Sequence, residues 1–81
     1  MDEVDEAIEE LTLLLIYLTS WEEDSYGFSV QRAWKGFRFE VLDTLEEKNY
    51  ISQTKRAKSV YLTEESMQKA EALKRKYLKL E

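Results

Sequence analysis

The stretch Phe39-Glu40-Val41-Leu42-Asp43-Thr44-Leu45-Glu46-Glu47-Lys48-Asn49-Tyr50-Ile51, with Ser59-Val60-Tyr61-Leu62-Thr63-Glu64-Glu65 after the basic Lys55-Arg56-Ala57-Lys58, decides the fold. Val41, Leu42 and Leu45 share one face of a helix predicted over residues 38–48, with Phe39 flanking it. Asn49 suits the left-handed position that follows a helix, where asparagine commonly replaces glycine. Tyr50-Ile51-Ser52 then begins a strand. In a second strand, Val60 and Leu62 alternate with Ser59 and Tyr61, and the turn over residues 54–57 is polar and basic. Thr63 is a good N-cap for a last helix, with Glu64 and Glu65 in its first turn. That helix has the apolar stripe Met67, Ala70, Leu73, Tyr77 and Leu80, and Lys74, Arg75, Lys76 and Lys79 crowd its C-terminal end.

N-terminal to this block, residues 3–19 read as a helix. Val4, Ile8, Leu11, Leu15 and Leu18 keep the 4-3-4-3 spacing of one helical face, and Asp2, Glu3, Asp5 and Glu6 sit where the helix dipole favours anions. Leu13, Leu14, Ile16 and Tyr17 extend the apolar character around almost the whole circumference. A small domain cannot bury all of it internally, which makes these four residues candidates for an oligomer interface or partner groove. Residues 20–28 read as a loop and residues 30–35 as a short helix capped by Ser29, with Gly36 ending it at positive φ.

A chain of 81 residues allows one domain over 1–81. It has no cysteine and no histidine, which excludes disulfides, thiolate or imidazole zinc sites, cysteine nucleophiles and histidine bases. No phosphate loop, nucleophile elbow or catalytic dyad is present, so neither enzymatic activity nor a cofactor is expected. The longest apolar run, 11–18, is too short to span a membrane, and the N-terminus is acidic where a secretory leader would be basic; the expectation is a cytoplasmic protein without membrane contact.

The charge is unevenly placed. Residues 1–31 hold nine acids and no base, whereas residues 32–81 hold all twelve bases. Two basic segments are candidate nucleic-acid contacts: Arg32, Lys35 and Arg38 around the corner Arg32-Ala33-Trp34-Lys35-Gly36-Phe37, and Lys55, Arg56 and Lys58 on the hairpin tip. In the corner, Trp34 and Phe37 equally suit a helix-turn-helix core. The polar side of the 38–48 helix carries Glu40, Asp43, Glu46 and Glu47, which phosphates would repel. The acid groups 22–24, 46–47 and 64–65 lack the ligand spacing of a calcium loop and read as solvated charge.

The stretch 42–65 resembles the C-terminal half of winged-helix transcriptional regulators of the MarR and PadR type: a helix with an asparagine cap, a strand, a basic wing, a second strand and a Leu-Thr-Glu-Glu helix start. The whole chain is similar to a small uncharacterised prokaryotic family marked by the Arg-Ala-Trp-Lys-Gly-Phe corner and a Lys-Ser-Val-x-Leu-Thr-x-Glu segment. The resemblance implies a mainly α winged helix-turn-helix, about four helices plus a two-stranded wing. Two functional expectations compete: a regulator or accessory factor touching DNA weakly through the wing and the Arg32–Arg38 corner, and a homodimerising or protein-interaction module built on the first helix. A ligand pocket lined by Trp21, Tyr26 and Trp34 is a third.

Overall fold

The computed structural model describes residues 3–25, 27–54 and 56–79. In chain order these form α1 (Glu3–Leu18), β1 (Trp21–Ser25), β2 (Phe28–Trp34), α2 (Phe39–Glu47), β3 (Ile51–Gln53), β4 (Ser59–Leu62) and α3 (Glu64–Leu73), whose end widens into a π-helical stretch, Lys74–Leu78. The strands make one antiparallel sheet in the order β1-β2-β4-β3.

The C-terminal block follows its sequence signals. Asn49 takes φ 64°, its N–H donates to the Glu46 carbonyl at 3.0 Å and that of Tyr50 to the Leu45 carbonyl at 2.9 Å. This paired closure satisfies carbonyls that the end of α2 would otherwise orphan. The Thr63 hydroxyl accepts from the Ser66 N–H at 3.1 Å and donates to the Asn49 carbonyl at 2.8 Å. One side chain therefore caps α3 and ties it to the end of α2.

The N-terminal half corrects the expected architecture. A mainly α winged helix-turn-helix of about four helices with a two-stranded wing gives way to an α+β fold with three α-helices and a four-stranded sheet. The residues read as a loop, 20–28, supply β1, and the six read as a helix lie in β2 or just after it. Six residues make few intrahelical hydrogen bonds against the cost of a helix nucleus. Paired as Gln31–Trp34 against Ser59–Leu62, the same residues satisfy their backbone on a strand edge that would otherwise be open. Gly27, at φ 83°, sits at the β1–β2 turn; Gly36 does not take the positive φ expected of it.

Leu13, Leu14 and Ile16 of α1, Leu42 and Leu45 of α2 and Leu73 of α3 pack with Ala33, Ile51, Val60 and Leu62 of the sheet. The regular stripe Val4, Ile8, Leu11, Leu15, Leu18 lies outside this core, each residue between 37% and 65% exposed. Among the described residues no helix is long and apolar enough to cross a membrane.

The fold makes opposite demands on two residues of similar hydrophobic bulk. Trp34 is 63% exposed, so Trp34→Ala is expected to cost under about 1.5 kcal/mol in urea unfolding, the scale of a lost aromatic pair. Leu42 is fully buried, and Leu42→Ala is expected to cost about 2–5 kcal/mol. A Trp34 loss as large as that of Leu42 would contradict the strand assignment.

Candidate functional site

Register sorts the sheet into two faces, because residues paired across a ladder point the same way. The inner face carries Ala33 with Val60, and Leu62 between Gln31 and Ile51. The outer face carries Trp21 opposite Arg32, Glu23 opposite Val30, Arg32 opposite Tyr61 and Trp34 opposite Ser59, with Phe28 further along β2. An antiparallel sheet packed on one side usually turns polar side chains to water on the other. Here the outer face is aromatic. Phe28 is 71% exposed, and the Trp21 and Trp34 rings lie 5.0 Å apart between centroids, tilted by 44°.

Arg32 sits in the middle of this face and engages both terminal nitrogens of its guanidinium. Its Nη1 donates to Glu23 Oε2 at 2.7 Å, its Nη2 donates to the Ser59 hydroxyl, and the guanidinium lies 4.8 Å from the Tyr61 ring centroid. The Glu23 hydrogen bond raises the Arg32 pKa further. Its Nε is shielded from water and finds no acceptor among the described residues. The pairing leaves the face close to neutral.

The other cations expected to contact nucleic acid are dispersed. Lys35 Nζ donates to the Thr54 carbonyl at 2.9 Å and shares a groove with Phe39, Asp43, Glu46 and Gln53. Arg38 lies 3.5 Å from Glu40, both exposed. Arg56 and Lys58 are exposed on the β3–β4 turn, while Lys55 lies outside the described residues. Asp43 and Glu46 bind the Gln53 amide at 3.1 Å each, placing carboxylates beside the hairpin. Of the four residues expected at an oligomer interface, Leu13, Leu14 and Ile16 are core, and half-buried Tyr17 donates its hydroxyl to Glu71 at 2.5 Å. Of the expected aromatic pocket, Trp21 and Trp34 do meet, and Tyr26 lies outside the described residues.

A second polar cluster joins α1 to α2 and α3. Glu9 accepts from Lys48 at 2.6 Å; Glu10 accepts from Lys76 at 2.8 Å and from the Tyr77 hydroxyl at 2.7 Å, with Lys69 at 3.8 Å. Glu9, Glu10, Lys48 and Lys69 line, with Leu13, Leu45 and Leu73, a cleft of about 190 Å³. The Lys76 and Tyr77 hydrogen bonds hold the Glu10 carboxyl below its ordinary pKa, and the same bonds raise Lys76 and Tyr77. Lys48 is raised by its bond to Glu9. Each carboxylate here is matched by cations of the chain itself, so the cluster works as a clasp between helices.

The clasp makes stability depend on pH in a definite direction. Because the folded pKa of Glu10 is depressed, its contribution is present above the unfolded carboxyl value and is lost as pH falls through the folded one. Thermal melts across the acid range are expected to show a smaller loss in Glu10→Gln than in the wild type. An unchanged acid slope would mean that Glu10 carries no linkage.

Neither curated proteins nor solved structures give a match to this chain. A family model does, over residues 4–80, which takes in every element from α1 to the π-helical end of α3. The chain therefore belongs to the family described as a domain of unknown function, DUF6429.

Proposed function

We propose that the chain is a non-enzymatic protein-interaction module that receives an apolar segment of a partner protein on the outer face of its sheet. The observation that carries this reading is the surface formed by exposed Phe28, Trp34 and Tyr61 with half-buried Trp21 and Val30 on a sheet whose other face is already packed. Contiguous apolar surface of this kind on a small domain marks an interaction site, and tryptophan, tyrosine and arginine are the side chains that dominate binding energy at interfaces.

The electrostatics favour a protein over a nucleic acid. Arg32 is neutralised by Glu23, the net charge is −5, and Asp43 and Glu46 stand beside the hairpin whose turn carries, among the described residues, the exposed cations Arg56 and Lys58. Phosphate binding scales with the number of phosphates that cations neutralise, and two or three cations support little of it.

Both tryptophans of the chain lie on this face, so tryptophan emission, excited selectively over tyrosine, reports on it. A displayed random-peptide selection against the wild type, counter-selected with Trp34→Glu, is expected to enrich apolar and aromatic sequences. Those peptides should shift tryptophan emission and lose at least about tenfold in affinity against Trp34→Ala. No enrichment over the Trp34→Glu control would sink the reading. Salt-sensitive binding of single-stranded or duplex oligonucleotides, abolished by Arg56→Glu with Lys58→Glu, would replace it with nucleic-acid contact.

A further inference from the structure

Among the described residues α1 has a second apolar side that stays 37–65% exposed, with Ile8 at its edge beside Val41 and Thr44 of α2. Val4, Ile8, Leu11, Leu15 and Leu18 run along it in steps of four, three, four and three, the spacing of a coiled-coil seam over two heptads. The core residues Leu13 and Ile16 lie on the opposite side of the same helix. From these observations we infer that α1 pairs with α1 of a second copy of this chain, antiparallel, about a two-fold axis near Leu11. This surface is separate from the outer face of the sheet, and the inference does not rest on that reading.

Three features select this occupant. The first is self-complementarity: Val4 and Leu18 are equidistant from Leu11, and Ile8 and Leu15 nearly so. A two-fold axis at Leu11 therefore sets Val4 against the partner's Leu18 and Ile8 against the partner's Leu15, as an isologous contact requires. The second is charge. Glu3, Asp5 and Glu6 occupy the first turn of α1, and no basic residue stands in its last turn. A parallel pair would bring both acidic sets together. The antiparallel pair holds them about 20 Å apart at 1.5 Å rise per residue, well beyond the screening length at physiological salt. The third is the character of the seam's edges. Asp5, Ala7, Thr12 and Thr19 flank it, a single charge rather than the alternating charges that pick out a differently charged partner helix.

Two heptads lie at the low end of interface sizes, below about 1,200 Å², so the dimer is concentration-dependent, in the micromolar range or weaker. Sedimentation equilibrium of the full chain from about 5 µM to about 1 mM is expected to show the mass rising from monomer towards dimer. Leu11→Glu and Leu15→Glu should remain monomeric with unchanged near-ultraviolet circular dichroism, while Trp34→Glu should associate as the wild type does. Orientation is read by cross-linking, for which the absence of native cysteine gives a clean background. An equimolar mixture of Val4→Cys and Leu18→Cys should form the mixed disulfide in preference to either homodisulfide. A strict monomer at the highest concentration, a dimer that survives Leu11→Glu, or Val4→Cys linking chiefly to itself would each overturn the inference.

Discussion

The pairing of β2 with β4 is the constraint on which the rest of this molecule depends. Without it, residues 21–34 and residues 51–62 form two separate hairpins, each marginal in water. With Ala33 set against Val60 and Trp34 against Ser59, two hairpins become one sheet. The period of two along each strand then fixes every side chain's face. Ala33, Val60, Leu62 and Ile51 go in under the helices, and Arg32, Trp34 and Tyr61 go out. A slip of one residue in this ladder would bury Trp34 and expose Ala33.

The C-terminal half was legible because its signals are local. The Asn49 cap, the Thr63 cap and the alternation around Val60 are each decided by residues within a few positions of one another. The N-terminal half was not, because β2 joins the sheet through partners 25 to 31 residues further along, and no proline or asparagine-glycine turn advertises its hairpin with β1. A signal was nevertheless present: Phe28, Val30 and Trp34 recur at even positions, a period of two. Even a correct strand reading would have placed these residues in the core, since Ser29, Gln31 and Ala33 are the polar and small alternatives.

The same inversion occurs in α1. Its most regular apolar stripe faces water, and the less regular set Leu13, Leu14, Ile16 meets the core. Two elements thus turn a well-patterned apolar face outward. Burial is a one-way rule, since apolar residues outside are ordinary one at a time, but ordered rows of them are not. In a domain of this size the outward rows compete with the core for the same limited apolar content. The candidate sites were hard to read from sequence for this reason: the residues involved look like core. Of the cations that looked functional, Arg32 and Arg38 are paired with neighbouring carboxylates, Glu23 and Glu40.

The clasp between α1 and α3 also sets the order in which the chain can fold. Tyr77 and Lys76 reach Glu10 across 67 and 66 positions of sequence, and Glu71 reaches Tyr17 across 54. Loops of that length close late, after local turns and hairpins have formed. During synthesis α1 emerges before α3, and Glu10 and the Tyr17 hydroxyl stay without their partners until the end of α3 has left the ribosome. The contacts of α1 with α3 are therefore among the last to close, and the exposure of α1 to mispairing is greatest in the nascent state.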